Sequence, residues 1–249
     1  MPLLELDGLT RRFGGIVAVN RVSMRVASGE VRAVIGPNGA GKSTLFNLIT
    51  GVLAASEGEV RLDGARLTGL PAHRICQHGL ARTFQITALY PEMTVRENAA
   101  LAAQALEGRR WQPWGGGRVF AAATRRGDAA LERLGLGPLA DQPAGVLSHG
   151  DQRLLEIAMA LAQEPRLLLL DEPTQGLSVQ ETARAVDTLA SLLVDGGMTV
   201  LLVEHDMEVV FRLAHAITVL HRGAVIADGP PDVVRADPAV QQAYLGGVE

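Results

Sequence analysis

Gly36-Pro37-Asn38-Gly39-Ala40-Gly41-Lys42-Ser43-Thr44 carries the densest chemical signal in this sequence of 249 residues. Its spacing fits G-x-x-x-x-G-K-[ST], a loop that cradles phosphate. Gly36, Gly39 and Gly41 let the backbone turn until successive N–H groups face one hollow. The positive end of a following helix favours the same anion. Lys42 can reach the β- and γ-phosphates of a nucleoside triphosphate, and the Ser43 hydroxyl can complete the shell of a Mg²⁺ ion that otherwise keeps its waters. A second feature lies downstream, where Leu167-Leu168-Leu169-Leu170 runs into Asp171-Glu172-Pro173. An apolar strand ending in carboxylates delivers them to the C-terminal edge of a sheet, where ligands of open α/β folds sit. There Asp171 would hold the Mg²⁺ through water, opposite Ser43, and Glu172 would be the general base for an attacking water.

These residues need elements to position them. A strand-like run, Glu30 to Ile35, leads into the glycine loop, and a helix-like run from Lys42 leaves it and stops at Gly51. Upstream, Val17, Val19, Val22, Met24 and Val26 suggest strands of an antiparallel sheet, in a stretch broken at Asn20-Arg21. Val60 to Gly64 reads as a strand entering a tight turn. From about Pro91 to Gln163 the pattern is helical, interrupted from Glu107 to Arg118 by an irregular excursion with Trp111 and Trp114. Strand signals at Arg166 to Leu170 and Thr199 to Val203, separated by a helix-like stretch, imply a parallel sheet. A hairpin about Arg222-Gly223 and a polar tail with Pro230, Pro231 and Pro238 follow.

The composition narrows the function classes. A hydrophobic content of 47% supports a full core, and a net charge of −4 lacks the basic excess of a nucleic-acid binder. The single cysteine, Cys76, excludes an internal disulfide and suits a reducing compartment. Met1 to Glu5 has none of the features of a signal peptide, and no run reaches the ~20 apolar residues of a membrane span. His73, Cys76 and His78 cluster, but a structural zinc site wants a further ligand pair that the sequence does not offer.

Leu147-Ser148-His149-Gly150-Asp151-Gln152, with the helical run Arg153 to Ala162 behind it, resembles the LSGGQ signature of ATP-binding cassette (ABC) ATPases. Ser148 and Asp151 also form an S-x-x-D capping box. His149 replaces a glycine of that signature and Asp151 a glutamine. The added carboxylate should weaken closure on a phosphate unless backbone N–H groups bind it. The resemblance implies an α/β fold: a P-loop NTPase (RecA-like) core with a parallel sheet, an N-terminal antiparallel β-subdomain and an inserted α-helical subdomain. It assigns residues 1–85 and 164–249 to the β-subdomain and core, and 86–163 to the helical signature subdomain. It implies ATP and Mg²⁺ as ligands, with Phe13 stacking on adenine and Gly36 to Thr44 around the phosphates. Gln85 would touch the metal and the attacking water, and His205 the γ-phosphate. The metal would then see Ser43, Gln85 and Asp171, and Glu172, His205, Gln85 and Lys42 would carry the reaction. Ser148 and Gly150 would serve ATP held by a second copy. Ser178 stands where the family usually has aspartate or asparagine in its dimer-contacting loop.

Within the family, Phe13-Gly14-Gly15, Ala81-Arg82-Thr83-Phe84-Gln85, Pro91-Glu92-Met93-Thr94-Val95-Arg96-Glu97-Asn98 and Ala243-Tyr244-Leu245-Gly246 look like subunits serving branched-chain (hydrophobic) amino acid uptake. Urea-uptake and lipopolysaccharide-export cassettes share parts of these patterns, and the Leu147-Ser148-His149-Gly150 form tilts towards the urea type. A soluble, non-transport ABC ATPase and a nucleotide-gated regulatory module are the other classes, and Glu172 and His205 argue against the second of these. The resemblance implies a second ATPase subunit, identical or paralogous, together with membrane permeases, an extracytoplasmic substrate-binding protein and no nucleic acid. It implies a peripheral position on the cytoplasmic face of the inner membrane. Leu89, Tyr90 and Met93 are candidates to receive a helix of a membrane subunit, or to pack within their own domain.

Overall fold

The computed structural model describes residues 2–83, 89–106 and 116–245. The chain divides into two compact units, Met1–His78 with Gly197–Glu249, and Gly79–Gly196.

The first unit opens with β1 (Pro2–Phe13) and β2 (Ile16–Ala27), followed by β3 (Val31–Ile35), α1 (Lys42–Ile49), β4 (Glu57–Leu62), β5 (Ala65–Arg66) and α2 (Ala72–Gln77). Four of these strands form an antiparallel sheet in the order β2-β1-β4-β5. Asn20-Arg21 does not break β2, as the sequence led us to expect. The strand runs through it, with Arg21 at φ 48° and the register slipping opposite Leu9 to Arg11. A bulge absorbs the polar pair, and the Arg21 N–H donates to the hydroxyl of buried Thr10 at 3.0 Å. The turn from β4 to β5 is the expected tight one, with Asp63 and Gly64 both at positive φ, as two-residue hairpins prefer.

The second unit holds β6 (Leu80–Arg82), α3 (Val95–Ala103), α4 (Gly116–Arg133), α5 (His149–Leu161), β7 (Leu167–Asp171) and α6 (Val179–Gly196). β6 and β7 pair in parallel, Leu80 against Leu167 and Arg82 against Leu169. The Pro91 to Asn98 motif builds the entry to α3. Thr94 caps the helix in a reciprocal box with Glu97. The fully buried Asn98 side chain binds Tyr90 N–H (2.9 Å) and the carbonyls of Tyr90 (3.1 Å), Thr94 (3.0 Å) and Met93 (3.4 Å). Tyr90 is exposed, whereas Leu89 and Met93 are half-buried. Trp111, Trp114 and most of the irregular excursion lie outside the described residues.

Back in the first unit come β8 (Thr199–Val203), α7 (Met207–Leu213), β9 (Ala216–His221), β10 (Ala224–Gly229), α8 (Pro231–Ala236) and α9 (Pro238–Leu245). β3 lies between β8 and β9, parallel to both, and β10 pairs antiparallel with β9. β3 and β8 are buried at every residue, as strands covered on both faces must be. The polar tail, in which the sequence suggested no element, folds into α8 and α9. Pro231 and Pro238 start helices, where a missing N–H costs nothing, and Asp237 accepts the Ala239 N–H at 2.8 Å. Val234 and Val240 then pack with Val210, Ile217 and Val219. Among the described residues no helix is long and apolar enough to cross a membrane.

Candidate nucleotide site

In the first unit the glycine loop joins β3 to α1. Gly36 sits at φ 154°, and a Cβ there would lie 2.1 Å from the Leu220 carbonyl oxygen; at Gly41 it would lie 2.5 Å from that of Ala18. Only glycine fits either position. Gly41, at the N-cap of α1, makes no side-chain cap hydrogen bond. Lys42 is buried, and its Nζ donates to the carbonyls of Gly36 (2.6 Å) and Pro37 (3.1 Å), folding the ammonium back over the loop. The neighbouring Ser43 is exposed. Tyr244 of α9 hydrogen-bonds the Gly36 backbone, and burial pushes its phenol up to about 12.

Two further residues of this unit were expected to meet nucleotide. Phe13, at the end of β1, is 44% exposed, and the Arg11 guanidinium lies 4.6 Å from its ring centroid. His205 follows β8 and is exposed, its N–H donating to Glu204 Oε2 at 3.0 Å, while Asp206 caps α7.

In the second unit, β7 ends on Asp171 and Glu172 follows it; the two are 2% and 5% exposed. Glu172 has φ 50°, a left-handed conformation that costs a non-glycine residue energy and is concentrated at functional sites. Asp171 is gripped twice by the residues that end β6. The Arg82 Nη2 donates to its Oδ2 at 2.7 Å, and its backbone N–H donates to the Thr83 hydroxyl at 3.3 Å. Oδ1 is buried with no hydrogen-bond partner among the described residues. A buried anionic oxygen without a donor fits the hard, oxygen-preferring chemistry of Mg²⁺ and its waters. Gln85 lies outside the described residues.

The same unit carries the signature residues. Ser148 caps α5, accepting the Asp151 N–H at 3.1 Å and donating to Asp151 Oδ2 at 2.9 Å. Arg184 Nη1 stands 2.9 Å from Asp151 Oδ1. Among the described residues the extra carboxylate is held by a hydroxyl and paired with a guanidinium, and no backbone N–H binds it. Gly150 is buried, and its N–H donates to Glu181 Oε1 at 3.1 Å. Glu181 in turn accepts from the Ser178 hydroxyl (2.7 Å) and N–H (3.0 Å), and its own N–H donates to the Ser178 oxygen at 3.3 Å. The Ser178 hydroxyl and N–H, then the Gly150 N–H, hold the Glu181 carboxyl below its ordinary range. Sequence reasoning passed over Glu181 and left Ser178 without a role. The signal was there: Ser178-x-x-Glu181 is a capping box at the start of α6.

Residues 19–175 match the family model of the ABC transporter. The chain belongs to the ABC transporter family. Residues 224–249 of the cassette match a further model, that of the branched-chain amino acid ATP-binding cassette transporter. The cassette is 42% identical over 253 residues to the high-affinity branched-chain amino acid transport ATP-binding protein BraF of Pseudomonas aeruginosa, covering 98% of each chain. It is 40% identical over 251 residues to LivG, the protein of the same description in Escherichia coli K12, again across 98% of each. Among solved structures it resembles the ADP conformation of MJ1267, an ATP-binding cassette of an ABC transporter, with a TM-score of 0.85, 32% identity and 99% of each chain covered. The α/β fold that the resemblance implied is the fold of that cassette.

Proposed function

We propose that the cassette binds and hydrolyses MgATP to energise a membrane importer of branched-chain or other hydrophobic amino acids. The observation that carries the amino acid reading is the likeness to BraF and LivG across 98% of the chain, joined to the C-terminal match over residues 224–249. The catalytic reading rests on the Lys42 ammonium and on the strained Glu172. On this reading Gly36, Pro37, Asn38, Gly39, Ala40, Gly41, Lys42, Ser43 and Thr44 surround the phosphates, and Lys42 exchanges loop carbonyls for phosphate oxygens. Mg²⁺ supplies neutralising charge on the transferred phosphoryl group. Ser43, Gln85 and Asp171 hold the ion, Glu172 orients and polarises the water, and His205 touches the γ-phosphate. Phe13 receives adenine, and Ser148 and Gly150 act on ATP held by a second cassette, identical or paralogous. The cassette sits peripherally at the cytoplasmic face of the inner membrane, and permease subunits and an extracytoplasmic substrate-binding protein complete the assembly.

The test is uptake in a deletion strain. Loss of leucine uptake, restored by the wild-type gene and not by Glu172→Gln, supports the reading. Normal leucine uptake with loss of urea uptake overturns it.

A further inference from the structure

We propose that Arg82 is a positioning residue for the metal, fixing the Asp171 carboxylate so that one oxygen remains directed at the water-bound cation. The inference rests on the reading of Asp171 as the residue that holds Mg²⁺. Arg82 ends β6 and Asp171 ends the parallel strand β7 beside it, with Arg82 in register with Leu169. The arginine side chain therefore reaches two residues along its neighbour to meet Oδ2 at 2.7 Å. The two side chains are 8% and 1% exposed. Burying a guanidinium and a carboxylate together is a poor way to stabilise a sheet, since apolar side chains of similar volume do as well or better. The pair is better understood through what it does to the carboxylate.

Among the described residues, two contacts bear on Asp171 and a third on the strand that carries it. Arg82 holds Oδ2, the Thr83 hydroxyl accepts the Asp171 N–H, and the Thr83 N–H donates to the Leu169 carbonyl at 3.0 Å. Consecutive residues at the end of β6 thus fix both the end of β7 and the torsion of its last side chain. With Oδ2 committed, the direction of Oδ1 is set, and Oδ1 is the buried oxygen without a partner among the described residues. Partners of this kind, one shell out from a metal, change metal affinity by roughly 10- to 100-fold when removed. The arginine also places positive charge near the cation. Loss of metal coupling on removing the arginine therefore means that the orientation it supplies outweighs that repulsion.

The experiment measures binding of a fluorescent ATP analogue to the full chain, once in EDTA and once in saturating Mg²⁺. The ratio of the two dissociation constants is the coupling between metal and nucleotide. Arg82→Met is expected to leave the EDTA value unchanged and to cut the ratio about tenfold. Arg82→Lys, which keeps the charge and loses the planar fork, is expected to fall between. A wild-type ratio in both variants overturns the proposal, even if their melting temperatures drop, since a merely structural arginine would lower stability alone. If Arg82→Met does not fold, Arg82→Lys decides by the same ratio. Asp171→Asn separates the two readings. If it keeps the wild-type ratio, Asp171 is not the metal residue. If it loses the ratio while the Arg82 variants keep it, only the role of Arg82 fails.

Discussion

Asn98→Ala should destabilise the cassette by about 3 kcal/mol through the loss of one buried clamp. The wild-type amide makes three hydrogen bonds of 2.9–3.1 Å, to Tyr90 N–H and to the carbonyls of Tyr90 and Thr94, with a weaker fourth at 3.4 Å to Met93. Each short bond contributes about 1 kcal/mol net. The alanine methyl cannot replace any of them, and the site is 0% exposed. At 2–4 °C per kcal/mol for a chain of this size, the melting temperature should fall by roughly 6–12 °C. Asn98→Asp is the sharper comparison, because it conserves shape. Its anionic oxygen would stand where Nδ2 now donates to three carbonyls, so at neutral pH it should melt at least as low as the alanine variant. Thermal melts of all three proteins, followed by far-UV circular dichroism without nucleotide, provide the measurement. An alanine variant within about 2 °C of wild type, or an aspartate variant that melts like wild type, would refute the reasoning.

Three other outcomes follow from the geometry. Gly36→Ala puts a Cβ 2.1 Å from the Leu220 carbonyl oxygen, so it should abolish nucleotide-analogue binding and lower the melting temperature; unchanged binding would show that the loop has room to yield. Glu172→Gln should retain ATP binding, lose at least about 100-fold in turnover and favour an ATP-stabilised dimer on size-exclusion chromatography; near-normal ATPase activity in the assembled transporter would remove Glu172 as base. Glu181 is held below its ordinary value of 4.5, so the folded state binds fewer protons there than the unfolded chain. Its contribution is present above the unfolded value and is lost as pH falls through the folded one, so Glu181→Gln should flatten the acid limb of urea midpoints below about pH 4.5.

What the sequence made legible was local. The glycine loop, the carboxylate-ended strand and the Arg222-Gly223 hairpin are each specified by residues within a single turn or strand, where spacing and conformation are nearly the same thing. The sequence showed no elements in the tail because prolines mark helix starts as readily as chain breaks, and only the Asp237 cap and the packing of Val234 and Val240 decide between the two. Asn20-Arg21 misled for a related reason: a polar pair ends a strand unless the partner strand offers a hydroxyl, as Thr10 does. Longer couplings left no sequence trace that could be read alone. Arg82 and Asp171 are 89 residues apart, and Gly150 and Glu181 are 31 apart. Asp151 looked like an uncompensated charge until Arg184 was found beside it.

The carboxylate of Glu181 on the Gly150 N–H has a consequence for the order of events at the start of α5. An N–H has one proton to give. Any phosphate that arrives there from a second cassette meets a donor already engaged by an anion, so docking is an exchange of one negatively charged ligand for another. Its driving force is a difference between two similar hydrogen bonds, smaller than either. Such an exchange is readily reversed, which suits the proposed function, in which the contact forms and releases once per cycle.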